Sequence, residues 1–418
     1  MNIKEIYKLY CQQYLVDTDT RKIRKNTLYF ALKGENFNGN TFAEEALKKG
    51  ASYSIVDEKE YVSSSKIILV DNVLSTLQAL SSLHRSTLNI PIIALTGSNG
   101  KTTTKELINM VLSTQYKTTA TLGNLNNHIG VPLTLLSMTP STEIGIVEMG
   151  ANHHKEIEFL CSIAKPDFGY ITNFGKAHLE GFGSLEGVIE AKSELYNYLK
   201  ENKKTVFVNP DDKIQVLKTA EMKTVLFNET IKLLEANPYV KVSFDQEFVS
   251  TNLIGGYNYS NISAAITLGL HFKISNENIK SSLENYRPTN NRSQILTTKN
   301  KNTLILDAYN ANPTSMKAAL DSFSLINSEN KMVILGDMFE LGLESKKEHQ
   351  SISEYCTALK FKSVLLVGKL FNQTTSAHLK LASFEDLIQH LSKANITDCQ
   401  ILIKGSRGMA LERVTEYL

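Results

Sequence analysis

Apolar residues along the chain follow two alternating spacings. Short β-branched runs are separated by stretches in which apolar positions recur every three to four residues, the signature of strands joined by amphipathic helices. The clearest unit spans residues 90–112. Ile90, Ile92, Ile93, Ala94 and Leu95 form an apolar run, a turn follows, and Leu107, Ile108, Val111 and Leu112 share one helical face. Residues 144–147, 168–172 and 206–209 repeat the strand pattern with helical stretches between them. The spacing predicts a mainly parallel sheet, with ligands bound beyond the carboxyl ends of its strands. Before it, residues 27–32, 53–56 and 67–70 read as short strands and 42–49 and 74–84 as helices, a small α/β unit. After it, residues 303–306, 332–335, 364–367 and 401–403 are four buried-type strands with helices between, a second doubly wound unit. The expected fold is therefore α/β in three domains, at residues 1–88, 89–292 and 293–418.

Composition narrows this picture. A chain of 418 residues suits two to four domains, and 42% hydrophobic with 21% charged residues is ordinary for a globular protein. The formal net charge of +2 demands neither nucleic acid nor an anionic membrane as partner. Cys11, Cys161, Cys356 and Cys399 lack C-x-x-C spacing, which argues against a thiolate metal site and fits free thiols in a reducing cytosol. No apolar run reaches the roughly 20 residues of a membrane span, so membrane insertion is not expected.

The candidate chemistry sits at the strand ends. Thr96-Gly97-Ser98-Asn99-Gly100-Lys101-Thr102-Thr103 forms a glycine-bracketed turn between an apolar run and a helix. Such a turn closes backbone N–H groups around phosphate oxygens at a helix N-terminus. Lys101 would reach the terminal phosphates and the Thr102 hydroxyl would ligate Mg²⁺. The leading glycine stands two residues later than in G-x-x-x-x-G-K-[ST], with Leu95 in its usual place. Taken alone, Glu148 fits a metal-bound or water-activating carboxylate as well as a solvated one. His178, alone, fits an ordinary loop histidine or a ligand through a neutral ring nitrogen. Leu185, Val188, Lys192, Leu195 and Leu199 define one apolar helical stripe with a lysine in its middle. Either Lys192 snorkels to water, or it is a buried amine of lowered pKa, open to carbamylation by CO₂ and then to Mg²⁺.

Several segments together resemble the Mur ligase family of ATP-dependent amide ligases in peptidoglycan precursor synthesis. The shortened phosphate loop is similar to theirs. So are Thr20-Arg21, then Ala31-Leu32-Lys33-Gly34, Asn38-Gly39 and Phe42, where the family has Ser-Arg, A-L-K-G, D-G and an aromatic residue. The resemblance implies that Thr20, Arg21, Lys33, Gly34, Asn38 and Gly39 contact a uridine diphosphate. Asn124, Asn126 and Asn127, in Thr121-Leu122-Gly123-Asn124-Leu125-Asn126-Asn127-His128-Ile129-Gly130, match a substrate segment of one branch. Glu148-Met149-Gly150-Ala151-Asn152-His153, the His178-Leu179-Glu180-Gly181-Phe182-Gly183-Ser184 run and Ala191-Lys192-Ser193-Glu194 match the same branch. That branch joins D-alanyl-D-alanine to UDP-N-acetylmuramoyl-tripeptide.

The resemblance also implies roles. Thr102, Glu148, His178 and a carbamylated Lys192 would hold two Mg²⁺ ions. Asn258 and Asn261, in Gly255-Gly256-Tyr257-Asn258-Tyr259-Ser260-Asn261, match an adenine segment that has His where Tyr257 stands. Arg292, preceded by Asn290-Asn291 instead of Pro-Gly, would contact the terminal phosphate, and Asp307 the ribose. The run Asp307-Ala308-Tyr309-Asn310-Ala311-Asn312-Pro313, the L-G-D-M-x-E-L-G motif at 335–342 and Lys404-Gly405-Ser406-Arg407 look like the domain that brings the dipeptide, with Asn310 and Asn312 as candidate contacts. The implied reaction runs through an acyl phosphate in a cytoplasmic monomer, and a site divided between segments implies closure about a hinge near Arg292. Two alternatives stand beside it. The branch adding the third stem-peptide residue carries D-N-P-R where this chain has Asn310-Ala311-Asn312-Pro313. A nucleotide-dependent switch would carry Asp-x-x-Gly after a central strand, which this chain lacks.

Overall fold

The structure is a computed structural model that describes residues 1–289 and 291–418, so Asn290 lies outside the described residues. The N-terminal unit is a parallel sheet of β1 (Val16–Asp17), β2 (Leu28–Phe30), β3 (Tyr53–Val56) and β4 (Ile67–Leu69), adjacent in that order. β1 is only two residues long and has no alternation for a pattern to reveal, which is why the sequence reading lacks it. The stretch expected as one helix at 42–49 divides into a 3₁₀ turn, Gly39–Phe42, and a helix, Ala43–Lys48.

Helix α1 (Val73–Leu88) ties this unit to the next. Asn72 caps it, its Oδ1 accepting from Ser75 N at 2.8 Å. Leu77 and Leu80 pack into the N-terminal core. In the last turn, buried Arg85 donates to Ala164 O at 2.9 Å, Lys165 O at 3.0 Å and Asp167 Oδ2 at 2.7 Å, all central-domain atoms. The helix thus runs past the expected end at 84 because its final turn is held from the other side of the boundary.

The central sheet comprises β5 (Ile92–Thr96), β6 (Thr118–Ala120), β7 (Ile144–Glu148), β8 (Phe168–Ile171), β9 (Thr205–Val208) and β10 (Lys223–Leu226). All are parallel, in the order β10-β9-β8-β5-β7-β6. β5 and β7 are buried along their whole length, which explains their unbroken apolar runs. The chain leaves β5 toward one edge and returns on its other side as β8, so a crevice opens above β5 at this reversal.

An antiparallel meander, β11 (Lys232–Glu235), β12 (Tyr239–Phe244) and β13 (Glu247–Ile254), follows, and was not expected. Its signal is the strict alternation of Val240, Val242 and Phe244 inward, ending at Asp245 and Gln246 with φ of 44° and 71°. Two left-handed residues in succession make the tight hairpin turn that matches strand twist.

The last sheet comprises β14 (Gln294–Thr297), β15 (Thr303–Asp307), β16 (Lys331–Gly336), β17 (Ser363–Val367), β18 (Leu379–Leu381) and β19 (Gln400–Lys404), in the order β14-β15-β19-β16-β17-β18. The four expected strands are its interior. The two short edge strands are additions, and β14 is antiparallel to β15.

Arg85 generates a prediction. Arg85→Ala strands one buried and one partly buried carbonyl, while Asp167 keeps Lys204 and Ile92 N as partners. The expected cost is about 2–3 kcal/mol, read as a lower urea midpoint for whichever transition includes the N-terminal unit. A midpoint equal to wild type contradicts the anchoring role.

Candidate active site

The turn after β5 is shaped by two glycines that no other residue replaces. Gly97 has φ +142°, and an added Cβ would lie 2.0 Å from Thr172 Oγ1. Gly100 has φ +80°, and its Cβ would lie 2.6 Å from Asn261 Oδ1. The end of β8 fastens the loop. Ser98 N donates to Asn173 O and Asn99 N to Asn173 Oδ1, both at 3.1 Å, and Asn173 Nδ2 donates back to Asn99 O at 3.0 Å. Ser98 Oγ donates to Gly175 O at 2.8 Å. Helix α2 (Lys101–Leu112) begins immediately, so its free first-turn N–H groups and positive dipole end face the cleft above the loop.

That cleft has a volume of about 610 Å³ and is walled by both the central and the last domain. Residues 98–103 line it, whereas Thr96 and Gly97 are not among its lining residues. Lys101 folds over the loop, its Nζ donating to Gly97 O at 2.6 Å. Desolvation lowers its pKa, with Glu148 opposing. Thr102 is buried at the cleft wall.

Glu148, the last residue of β7, is 1% exposed. Its Oε1 accepts from Asn126 Nδ2 at 2.9 Å, but its buried Oε2 has no hydrogen bond. The nearest cation is Lys105 Nζ, at 3.9 Å from Oε2. Lys105 also donates to Thr121 O at 2.7 Å, and burial lowers its pKa while Glu148 opposes. Lys105 was missed by the sequence reading; its signal is a lysine one turn after Thr102 on the buried side of α2.

His178 starts a short helix, α3 (Leu179–Phe182), from a left-handed conformation, φ 52°. Its Nδ1 lies 2.5 Å from Glu340 Oε2 of the last domain, close but not aligned as a hydrogen bond. Glu340 was also missed as a candidate, although it is the glutamate of the L-G-D-M-x-E-L-G run. His178 holds this carboxyl below its usual range.

Lys192 lies in α4 (Leu185–Glu201) and is 1% exposed, which excludes snorkelling. Its Nζ donates to Ala151 O at 3.2 Å and lies 5.1 Å from the centre of the Phe182 ring. Burial, reinforced by the charge of Lys101, pushes its pKa down to about 7. Ala151, which accepts from the amine, lines the cleft, as His178 does, whereas Lys192 itself is not among the lining residues.

Asn258 and Asn261 open α5 (Asn258–His271) and line the cleft. Asn261 Nδ2 donates to Asn258 Oδ1 at 2.8 Å, Asn258 Nδ2 to Ile254 O at 2.8 Å, and Thr104 Oγ1 to Asn261 Oδ1 at 3.0 Å. The pair therefore already braces the loop. Tyr257 reaches across to Ser293 Oγ at 2.8 Å. Arg292 stacks on Tyr309, 3.6 Å from the ring centre, with its buried Nε unpartnered. Asp307 and Asn310 O receive Lys404 Nζ at 2.5 and 3.1 Å. Asn312, the cap of α6 (Pro313–Ser324), lies outside the cleft lining but donates to Asn99 Oδ1 at 2.7 Å, joining the two domains. Asn124, Asn126 and Asn127 complete one wall, with Asn127 Oδ1 capping Gly130 N at 2.9 Å.

The six N-terminal candidates are not among the cleft walls. Lys33 pairs with Asp57 at 3.0 Å and Glu58 at 3.2 Å, and Asn38 Nδ2 donates to Glu58 at 2.9 Å. Gly39 packs so closely that a Cβ would meet Leu32 O at 2.4 Å, whereas Gly34 faces open space. Thr20 is buried, and Arg21 is exposed in a pair with Asp19 at 2.8 Å.

Among the described residues no three His, Cys, Asp or Glu side chains converge as a metal cluster. The donor set suits a hard cation all the same. Glu148 Oε2 is a buried carboxyl oxygen without a hydrogen-bond partner, Thr102 lines the same cleft, and such an orphan oxygen suits a cation.

Comparison with known proteins covers nearly all of the chain. The family models for the Mur ligase middle domain, the Mur ligase glutamate ligase domain and the Mur ligase catalytic domain match residues 95–269, 291–407 and 13–87. The UDP-N-acetylmuramoyl-tripeptide–D-alanyl-D-alanine ligase of Bacillus subtilis is 35% identical, with 96% of this chain and 92% of that protein aligned. The Escherichia coli ligase of the same name is 33% identical over 96% and 93%. Among solved structures, MurF from Acinetobacter baumannii superposes with TM-score 0.83 at 29% identity, covering 96% of this chain and 92% of that one. MurF ligase from Thermotoga maritima, in complex with ADP, gives TM-score 0.83 at 26% identity and 96% coverage of both.

The buried amine of Lys192 sets a pH dependence. Its folded-state pKa of about 7 lies below the ordinary lysine value of 10.5. Between these values the unfolded chain binds more protons, so stability rises with pH across that window, and the charged-burial penalty is full below pH 7. In CO₂-free buffer, Lys192→Met is therefore expected to raise the melting temperature over wild type more at pH 6 than at pH 9. An equal difference at both pH values contradicts the neutral-amine assignment.

Proposed function

The chain belongs to the Mur ligase family, and from that premise we propose that it joins D-alanyl-D-alanine to UDP-N-acetylmuramoyl-tripeptide at the expense of ATP, making the pentapeptide precursor of peptidoglycan. The observation carrying this reading is a single cleft that unites a phosphate-binding loop with the Asn310-Ala311-Asn312-Pro313 segment of the last domain. The absence of the D-N-P-R sequence there favours the dipeptide-adding branch over its neighbour.

The terminal carboxylate of the tripeptide attacks the γ-phosphorus of ATP, giving an acyl phosphate and ADP. The dipeptide amine then attacks the acyl carbon, and the tetrahedral intermediate expels phosphate. This chemistry needs positioning and charge stabilisation more than covalent catalysis. Loop N–H groups and Lys101 hold the phosphates, and Arg292, with its unpartnered Nε, faces the terminal one. Asp307 takes the ribose, and Asn258 with Asn261 flanks the adenine. Asn124, Asn126 and Asn127 take the peptidyl substrate, and Asn310 with Asn312 the dipeptide. Thr20, Arg21, Lys33, Gly34, Asn38 and Gly39 take the uridine diphosphate in the N-terminal domain.

Thr102 and Glu148 would hold one Mg²⁺, and His178 with Lys192 a second. Bound Mg²⁺ would neutralise phosphate charge as it develops. Lys192 serves as a carbamate. Its neutral amine bonds to the carbon of CO₂, a proton leaves the nitrogen, and the resulting anion replaces a buried amine whose one hydrogen bond goes to Ala151 O. The near-neutral pKa supports that step at physiological pH. The proposed borders are 1–88, 89–292 and 293–418, with closure about the segment at Arg292. The proposed acting unit is a monomer. No helix among the described residues is long and apolar enough to cross a membrane, and all four cysteines are free, so a cytoplasmic setting is proposed.

Phosphate release from ATP is expected only when UDP-N-acetylmuramoyl-tripeptide and D-alanyl-D-alanine are both present. Release with ATP alone at the same rate contradicts the ligase reading. Lys101→Ala is expected to cut turnover at least about tenfold with unchanged melting; turnover near wild type removes Lys101 from the phosphate site. Lys192→Ala is expected to be inactive and partly restored by added formate or acetate. An unmodified amine in an active, substrate-loaded crystal rules the carbamate out.

A further inference from the structure

Glu340 belongs to the last domain, yet its carboxylate meets the histidine that opens α3 in the central domain. Three observations converge on this contact. Glu340 Oε2 lies 2.5 Å from His178 Nδ1. The Glu340 carbonyl accepts Glu180 N at 3.2 Å, so the two segments are also joined through their backbones. Both residues are left-handed, with φ of 61° and 52°, a conformation that costs a non-glycine residue energy and persists where the surroundings enforce it. Beyond Glu340, Gly342 has φ +52° and a Cβ there would sit 3.2 Å from Glu180 Cα, so the turn fits against α3.

We propose that Glu340 is the positioning residue for His178, and that docking of the last domain thereby completes the second metal site. A ligating histidine needs its other ring nitrogen held by an acceptor, which fixes the tautomer and ring orientation and raises the basicity of the ligating atom. Nδ1 has no aligned hydrogen bond, and Glu340 Oε2 at 2.5 Å is the acceptor within its reach; a proton on Nδ1 directed to Glu340 would leave Nε2 as the nitrogen available to a cation. The acceptor comes from a different domain, so the ring is oriented only in the docked arrangement. That same arrangement places Asn312 on Asn99, and Lys176 Nζ at 2.6 Å from Glu348. Metal affinity and domain docking are then coupled, each strengthening the other. The inference rests on the proposed role of His178 as a metal ligand.

The test is a Mn²⁺ titration of the full chain with ADP present, free Mn²⁺ being read by electron paramagnetic resonance. Glu340→Gln keeps the shape and removes the charge. It is expected to weaken one class of Mn²⁺ sites about tenfold, with unchanged melting temperature. Glu340→Asp is expected to recover most of the loss. In a His178→Ala background Glu340→Gln should have no further effect, because the pair acts as a unit. If His178→Ala weakens Mn²⁺ binding but Glu340→Gln does not, the positioning role is overturned and the metal role of His178 stands. If neither variant changes Mn²⁺ binding, the metal role of His178 falls and takes the inference with it. A loss accompanied by lower melting and not recovered by Asp overturns the inference in favour of a packing role.

Discussion

Ionisable groups removed from water without a full set of partners are the constraint around which this protein is built. Glu148, Lys105 and Lys192 are all 3% exposed or less. Glu148 Oε2 has no hydrogen bond, Lys105 lies 3.9 Å from it, and Lys192 donates to one carbonyl. Burial of such groups costs several kcal/mol each unless close partners compensate. Lys404 shows the compensated case, paired with Asp307 and with Asn310 O. The under-satisfied groups cluster around one cleft, where phosphates and cations would supply the missing partners. The cost is borne by the large apolar cores beneath β5, β7 and β8.

The fold makes that cluster possible because parallel strands end together. Thr96, Glu148 and Ile171 end adjacent strands, so the loop, the carboxylate and Asn173 reach one rim without long connections. The last domain closes the rim through Asn312, Glu340 and Thr314. Positioning is thus divided between the edge of the central sheet and a wall supplied by the last domain.

What the sequence could reveal followed from how local each signal is. The loop at 97–102, the strands of the parallel sheets and the buried stripe around Lys192 are patterns within a few residues, and each has its expected place in the structure. Two-residue β1 has no periodicity at all. The β11–β13 meander escaped because attention to unbroken apolar runs passes over alternation, although Val240, Val242 and Phe244 carry it plainly. Lys105 and Glu340 escaped for a different reason. Their significance lies in contacts across 43 and 162 positions of sequence, to Glu148 and His178, which no spacing rule encodes. Asn258 and Asn261 were legible as polar residues at a helix start, but their bracing of the loop through Thr104 is a tertiary fact.

The central claim is that the cleft joins two substrates through an acyl phosphate, and the fate of one oxygen atom tests it most directly. The tripeptide substrate is prepared with ¹⁸O in its terminal carboxylate and turned over with unlabelled ATP and D-alanyl-D-alanine, and the released phosphate is analysed by mass spectrometry. Attack of that carboxylate on the γ-phosphorus followed by expulsion of phosphate predicts one ¹⁸O atom in each phosphate released. Unlabelled phosphate accompanying full pentapeptide formation would contradict the account.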